Sequence, residues 1–202
     1  MVNAPNAAMP PRNPSSAAAR LGILGFLLCA VICCAPRGSA AAEARTKPIT
    51  SPDPRMKAVW TTKFLHYIEW PTKASPKSGE QITIGFLGDD PIYAELRGLV
   101  SAKPALVVRG RTVALKRFSS VSDIKGCQVL FISQSAKSDV KTVLAAVQGS
   151  GVLTVSDIGG FTSMGGMIGL RSDGEKIRLE IDGAAARREG MSIDPELQRA
   201  FK

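Results

Sequence analysis

The chain has 202 residues, of which 26 are Lys or Arg and 17 are Asp or Glu, and its formal net charge at pH 7 is +9. This length predicts one domain, or one domain with an attached segment. The basic excess is modest and is spread along the chain without a cluster interleaved with aromatic side chains. This distribution argues against a nucleic-acid partner.

The first 42 residues have the pattern of a signal peptide. Residues 21–35 are apolar and uncharged. This run is shorter than the roughly 20 residues that cross a bilayer, but it is typical of the apolar part of a secretory leader. Small residues follow it, so we expect cleavage after Ala40 or Ala42 and export to the periplasm. The alternative is that the segment is retained as an N-terminal anchor.

Cleavage changes both the charge and the cysteine content. It removes three of the 26 basic residues and none of the 17 acidic ones, which lowers the net charge to +6. It leaves Cys127 as the one cysteine of the mature chain, so an internal disulfide is not expected. Residues 43–53 are polar and Pro-rich, which predicts a linker to a domain at 54–202.

A helix is predicted at the start of this domain. Residues 53–54 supply an aspartate cap and a proline at the first helical position, and Pro71 ends the helix because proline cannot continue the hydrogen-bond ladder. His66 falls on the polar face with Thr62 and Glu69, and with no second histidine or nearby cysteine we expect no metal site there. The opposite, core-facing stripe consists of Met56, Val59, Trp60, Phe64, Tyr67 and Ile68.

Apolar strands and helices alternate through the middle of the chain. Strands are predicted at 81–87, 106–108, 112–118, 129–132 and 152–155, and helices at 92–100 and 136–148. This alternation predicts an α/β domain with a largely parallel sheet. Asp89 and Asp90 are expected to serve as turn and helix cap, because a cation site would need more carboxylates at loop spacing.

A glycine-rich segment at 151–170 lies at the centre of the predicted fold. Its first part, 152–155, is apolar, which is typical of a strand buried on both faces. Four glycines follow between positions 159 and 166, and glycine allows the close backbone approach that a loop folding back over a strand requires. The segment lacks the lysine and the spacing of a phosphate-binding loop, so no nucleotide site is predicted.

The C-terminal part has a different pattern. Asp173-Gly174 predicts a hairpin turn into a strand at 176–181 that has one apolar and one charged face. Two short helices, at 184–188 and 194–201, end the chain. The predicted fold is a single α/β domain with a mixed, mostly parallel sheet flanked by helices and an antiparallel hairpin near the C-terminus.

The sequence contains no pattern of residues that predicts catalysis. A Ser–His–Asp mechanism would need His66, which lies in a predicted helix, and the chain has no serine in a glycine-flanked elbow. Cys127 stands at the head of an apolar run, where a buried, unreactive thiol is expected. We therefore predict a protein that is not an enzyme and has no cofactor and no metal.

Five segments carry a family resemblance. They are 63–71 (KFLHYIEWP), 84–91 (IGFLGDDP), 126–133 (GCQVLFIS), 153–161 and 165–168. In this order they resemble the YfiR-like (HmsC-like) family of exported bacterial proteins, and the resemblance covers about residues 55–200. It implies an α/β domain behind a signal peptide, without a catalytic or metal motif.

The resemblance also implies a function in signalling. The best-described members repress an inner-membrane diguanylate cyclase from the periplasm by binding its periplasmic sensor domain, which lowers cyclic-di-GMP and biofilm formation. Others are sensing modules beside two-component or TonB-linked systems, which would make this protein a small-ligand binding module. A homodimer is compatible with both. Members often carry paired cysteines that form disulfides, whereas the mature chain here has only Cys127, so redox control is not expected.

Two sets of residues are candidate binding sites. Exposed side chains at the predicted helix end and in the glycine-rich loop are expected to contact a protein partner, and these are Glu69, Trp70, Phe161 and Met164. Packing of Trp70 in the core is the alternative for that residue. A ligand pocket is expected at the C-terminal ends of the strands, where open α/β sheets bind ligands. Its candidate residues are Asp89, Asp90, Ser133, Ser135 and Asp157.

Overall fold

The computed structural model describes residues 53–174 and 176–199. The predicted signal peptide and all of the predicted linker except Asp53 lie outside these residues, as does the end of the helix predicted at 194–201. Within the described part, no helix combines the length and the apolar character that a membrane span requires.

The elements of the described chain follow each other in a largely alternating order. The α-helices are α1 (Pro54–Phe64), α2 (Pro91–Val100), α3 (Val140–Val147), α4 (Gly183–Arg188) and α5 (Pro195–Arg199). The strands are β1 (Ile68–Glu69), β2 (Ile82–Leu87), β3 (Val107–Val108), β4 (Arg111–Phe118), β5 (Val129–Ile132), β6 (Leu153–Ser156), β7 (Ile168–Asp173), β8 (Lys176–Ile181) and β9 (Ser192–Ile193). Short 3₁₀ helices occur at Val121–Asp123, Gln134–Asp139 and Thr162–Met164.

The main sheet has seven strands in the order β3-β4-β2-β5-β6-β7-β8. The five inner strands run parallel, and β3 and β8 pair antiparallel at the two edges. A second, two-stranded sheet joins β1 to β9. The predicted α/β fold, its mostly parallel sheet and its antiparallel hairpin are therefore confirmed.

Two apolar clusters cover the two faces of the main sheet, because successive strand side chains point to opposite faces. Ile84 and Phe86 of β2 belong to one cluster, together with residues of α1 and α2. Leu87 of the same strand belongs to the other, which includes Phe161 and the buried side of α3. All four residues of β6 are buried, so the prediction of a strand covered on both faces is confirmed.

The first helix is shorter than predicted and presents a different face to the core. It ends at Phe64, because Ile68 and Glu69 leave the helix to pair with Ile193 and Ser192. Met56 is 47% exposed, whereas the predicted polar-face residue Thr62 is buried. The buried face of α1 comprises Lys57, Ala58, Thr61, Thr62 and Phe64. The two threonine hydroxyls donate to the carbonyls of Lys57 and Val59, which lets polar side chains be buried here.

The helix predicted at 136–148 begins as a 3₁₀ helix. The backbone of Ala136 departs from helical geometry, and α3 starts at Val140. The predicted apolar stripe comprises Val140, Val143, Leu144 and Val147, of which the three valines are buried and Leu144 is half-buried. Three serines and one aspartate between 133 and 139 favour local turns over a regular helix, which explains the late start.

The glycine-rich loop folds over the sheet as predicted, and at one of its glycines there is no space for a side chain. A Cβ on Gly166 would lie 2.1 Å from Cε1 of Phe161. Phe161 is fully buried in the apolar cluster that contains Leu87 and the buried side of α3. The ring of Phe161 thus packs directly against the backbone of Gly166, where a side chain would not fit.

Candidate functional site

The point where the sheet changes winding direction lies between β2 and β5. The chain leaves β2 towards β4 on one side, whereas it leaves β5 towards β6 on the other. The loops that follow two such strands diverge and leave a crevice at their carboxyl ends, which is the usual ligand position in open α/β sheets. The predicted pocket residues after β2 and β5 lie at this edge.

A cleft of about 560 Å³ opens at this crevice. The residues that line it are Leu87, Gly88, Asp89, Arg117, Phe118, Ser119, Ser120, Val121, Ser135, Ala136 and Asp139. The exposed carboxylate of Asp89 lies 3.0 Å from the guanidinium of Arg117, and both side chains face solvent. The cleft therefore offers one cation, two carboxylates and several hydroxyls to a polar ligand.

Ser133 and Ser135 have different positions at this edge. Their hydroxyl oxygens lie 2.7 Å apart, and the hydroxyl of Ser135 accepts the backbone N–H of Asp89 at 2.7 Å. Ser133 is fully buried, so the expectation that it lines an open pocket is wrong. Its hydroxyl fills the space beside Gly88, where an added Cβ would lie 2.2 Å away. Ser133 shapes the loop, and Ser135 and Asp89 face the cleft.

Asp157 forms a buried ion pair that the sequence did not predict. Its Oδ2 lies 2.6 Å from Nζ of Lys57 on α1, and the two side chains are 4% and 9% exposed. Oδ1 of the same carboxylate has no hydrogen-bond partner among the described residues. The Gln134 side-chain amide donates to the Asp157 carbonyl at 2.7 Å. The pair connects the first helix to the C-terminal end of β6, next to the crevice.

Asp90 caps α2, as predicted, and its carboxylate accepts the Ile92 N–H at 2.9 Å. Partial burial is the main cause that raises the pKa of Asp90, and the negative charges of Asp157 and Asp89 add to it. The Ile92 hydrogen bond and the charge of Lys57 act in the opposite direction. Asp90, Asp157 and Lys57 are therefore electrostatic neighbours, although Asp90 is committed to the helix cap.

The candidate partner residues at 69–70 lie on a different part of the surface. Glu69 is exposed, and Trp70 is half-buried with its indole N–H donated to the Gln128 carbonyl at 3.2 Å. Both line a hollow of about 170 Å³ together with Ser75, Pro76, Ile82, Arg109 and Arg111. Trp70 also packs against the core, so the structural and contact roles considered for it are compatible.

Phe161 and Met164 do not join these residues in one surface. Phe161 is fully buried, so the expectation that it is poised for a partner is wrong. Met164 is half-buried and packs with Phe161 on the face of the sheet opposite to that of Trp70. Among the four candidates, Glu69 is exposed, and Trp70 and Met164 are half-buried.

The described residues contain one cysteine, Cys127, and it is buried. Burial raises the pKa of the Cys127 thiol to about 11, so the thiol is protonated at neutral pH. Within residues 53–174 and 176–199, no group of three or more His, Cys, Asp or Glu side chains could hold a metal ion. The fold is an open α/β domain with a cleft at the winding switch of its sheet.

Comparison with known proteins gives the family of this domain. The sequence profile of the YfiR/HmsC-like family matches residues 54–200, which is most of the chain. The chain therefore belongs to the YfiR/HmsC-like family, and the resemblance noted from its five segments is confirmed. The family is of a regulatory type, and membership is consistent with a periplasmic regulator.

Comparisons with solved structures and with curated proteins do not extend this assignment. Among solved structures, the chain is similar to a conserved domain protein from Vibrio cholerae, at 14% sequence identity and a TM-score of 0.45. The alignment covers 75% of this chain and 59% of that protein, so the chain spans less than two thirds of its length. A search of curated proteins found no match.

Proposed function

We propose that the protein is a periplasmic repressor of an inner-membrane diguanylate cyclase. The observation that carries the proposal is the family match over residues 54–200. In this mechanism the protein binds the periplasmic sensor domain of the cyclase and holds the enzyme inactive. Its release would raise cyclic-di-GMP inside the cell and promote biofilm formation.

The surface around Glu69 is the proposed contact with the cyclase. The exposed carboxylate of Glu69 lies beside the half-buried ring of Trp70, and an aromatic side chain at the edge of a hollow is a frequent centre of binding energy. Arg109 and Arg111 border the same hollow and place positive charge next to this ring. The combination favours a partner segment that brings an apolar side chain for the hollow and charged side chains of both signs for its rim.

A genetic experiment tests the regulatory mechanism. Deletion of the gene is expected to raise cyclic-di-GMP in cells that keep the cyclase and to leave it unchanged in cells that lack the cyclase. An unchanged level in both strains would contradict the repressor function.

A binding experiment tests the proposed surface. Glu69→Lys is expected to weaken binding to the purified periplasmic domain of the cyclase by about tenfold or more, because it reverses an exposed charge. Lys141→Glu is the matched control, since Lys141 is equally exposed but lies on α3, which packs on the other face of the sheet. The two variants change the net charge in opposite directions, so equal losses would mean that the effect of charge reversal is not specific to this surface.

A second candidate function is a small-ligand sensing module linked to a two-component or TonB-linked system. The cleft beside Asp89, Arg117 and Ser135 favours it, because it lies at the winding switch of the sheet. A thermal-shift screen with periplasmic metabolites tests this function. A ligand that raises the melting temperature of the wild-type protein but not of Arg117→Ala would support it, and a screen without any such ligand would contradict it.

A further inference from the structure

The edge strand β8 is complementary to a second copy of itself. In the described part of the chain, β8 hydrogen-bonds to β7 on one side and to no strand on the other. It contains no proline, and its register with β7 runs without a bulge from Asp173 opposite Lys176 to Ile168 opposite Ile181. Proline and a bulge, two devices that commonly block an edge, are therefore missing from β8, whereas it does carry charged side chains. The opposite edge of the sheet, β3, is only two residues long.

The hydrogen bonds to β7 determine which backbone groups of β8 point outwards. Just beyond the last residue of β8, the N–H of Asp182 donates to the carbonyl of Met167 at 2.8 Å. Hydrogen-bonded and non-hydrogen-bonded pairs alternate along an antiparallel ladder. Counting from Asp182, the amides of Glu180, Arg178 and Lys176 face β7. Those of Ile177, Leu179 and Ile181 face the open edge and present three donors and three acceptors.

We propose that two copies of the protein pair through β8, antiparallel, with Leu179 opposite Leu179 of the partner subunit. This register places Ile177 opposite the partner's Ile181, so every outward amide meets an outward amide of the other copy. Six backbone hydrogen bonds result, and the two sheets become one continuous sheet across a two-fold axis.

The side chains of this register are complementary on both faces. On the apolar face Ile177, Leu179 and Ile181, which are half-buried against the core in one copy, meet the same residues of the other copy. On the polar face Arg178 lies opposite the partner's Glu180, and Lys176 lies opposite the partner's Asp182. Opposite charges directly across two strands stabilise the pairing.

Neighbouring registers lack this complementarity. A shift in register that keeps outward amides opposite each other moves the two-fold axis of the dimer from Leu179 to Arg178 or to Glu180. Arg178 would then face Arg178 of the partner subunit, or Glu180 would face Glu180 of the partner subunit, and like charges directly opposite destabilise a strand pair. The number of hydrogen bonds also falls from six to four. The charge pattern of β8 therefore selects one register.

The intrachain ion pairs leave capacity for these contacts. Arg178 pairs with Asp173, and its side chain is 56% exposed. Glu180 pairs with Arg171 at 3.6 Å. A guanidinium has five N–H donors and a carboxylate has about four acceptor positions, so each group can accept a second partner. The proposed dimer goes beyond the regulatory function above and does not depend on it.

Disulfide trapping tests the register. The full-length gene is expressed and the protein is purified as the cell processes it. The Leu179→Cys variant is expected to give a covalent dimer on mild oxidation with copper phenanthroline. The Cα atoms of a hydrogen-bonded antiparallel pair lie about 5.5 Å apart, within the range that a disulfide spans. Peptide mapping should find residue 179 joined to residue 179.

Ile177→Cys is the matched control, because it lies on the same face of the same strand. Its counterpart in the other copy would be roughly 13 Å away, beyond the reach of a disulfide. Ile177→Cys alone should not cross-link, whereas Ile177→Cys combined with Ile181→Cys should. Cross-linking of Ile177→Cys alone to the same extent as Leu179→Cys would overturn the proposed register.

Charge reversal gives an independent measurement that leaves the strand's apolar face intact. Arg178→Glu or Glu180→Arg alone is expected to weaken the dimer by about tenfold in native mass spectrometry, and the double reversal should restore it. Circular dichroism verifies that each variant is folded. A wild-type chain that stays monomeric up to about 100 μM, together with a Leu179→Cys variant that gives no 179–179 cross-link, would overturn the proposal.

Discussion

The ammonium of Lys57 lies 2.6 Å from the carboxylate of Asp157, although the two residues are 100 positions apart in the chain. Both side chains are almost fully buried. The pair ties α1 to the end of the central strand β6, next to the crevice of the sheet. It thus links the first helix to the edge of the sheet that carries the cleft.

Removal of one partner of this pair should destabilise the fold. Lys57→Met leaves a buried carboxylate without its counter-ion, which is expected to lower the free energy of unfolding by about 3–5 kcal/mol. Lys57→Met combined with Asp157→Leu should recover most of the loss, because two apolar side chains need no pairing. Lys141→Met on the exposed side of α3 is the control and should change stability by less than about 0.5 kcal/mol. Urea denaturation measures the free energy of unfolding of all three variants. An unchanged value for Lys57→Met would contradict the stabilising role of the pair.

Gly166 should not tolerate a side chain. An added methyl group would overlap the ring of Phe161, so we expect Gly166→Ala to cost about 1–3 kcal/mol of stability through overpacking. Gly159→Ala in the same loop is the control, since an added Cβ there meets nothing within 4 Å. Thermal unfolding of the two variants compares them directly. Similar melting temperatures would show that the loop can move away from Phe161.

The buried thiol of Cys127 should make stability fall at alkaline pH. Burial raises its pKa from the ordinary 9.0 to about 11 in the folded protein. The unfolded chain therefore loses this proton first, so the contribution of the thiol is fully present below pH 9 and disappears as the pH rises through about 11. The expected loss is about 2–3 kcal/mol.

Comparison with Cys127→Ala separates this effect from other groups that titrate in the same range. The difference between the wild-type protein and Cys127→Ala should be constant from pH 7 to 8 and should shrink above pH 9. A thiol reagent should also react slowly with the folded wild-type protein at pH 8. Rapid modification of Cys127 under native conditions would show that the thiol is accessible.

Trp70 should contribute to stability as well as to the proposed contact surface. Trp70→Phe removes the hydrogen bond to Gln128 but keeps most of the apolar packing, which is expected to cost about 1 kcal/mol. Trp70→Ala removes both and should cost about 3 kcal/mol. Far-ultraviolet circular dichroism in urea gives both values. An unchanged stability of Trp70→Ala would assign the ring to the surface alone.

Export with cleavage near residue 40 is the remaining prediction. Mass spectrometry of the periplasmic fraction is expected to find an N-terminus between Ala40 and Glu43, since small residues precede this point. Peptides from residues 1–20 in the mature protein would instead support a retained anchor.

Much of the fold follows from local sequence patterns. Strands β2, β5 and β6 are mainly apolar runs closed by turn residues, and the Asp90 cap with its proline marks the start of α2. The turn at Asp173-Gly174 marks the hairpin of β7 and β8. These signals are short-range, because a strand, a cap or a turn depends on residues that are close in the chain.

The candidate site was only partly predictable. The sequence placed Asp89 and Ser135 at the crevice, since each follows a predicted parallel strand. It gave no sign that Ser133 and Phe161 are buried, because a serine after a strand and an aromatic residue in a glycine-rich loop are common on surfaces too. Lys57 was missed altogether, as a lysine in a helix is usually exposed and only its distant partner explains its burial.

The class of the fold, its family and the alternation of strands and helices follow from the amino-acid sequence, because these depend on the spacing of apolar, capping and turn residues along the chain. The tertiary structure alone decided where α1 ends, since Ile68 and Glu69 pair with strand β9 from the other end of the domain. It also decided which strand is left at the sheet edge and which of its amides point outwards. Strand order and buried ion pairs are set by contacts between distant residues, and no local pattern in the chain records them.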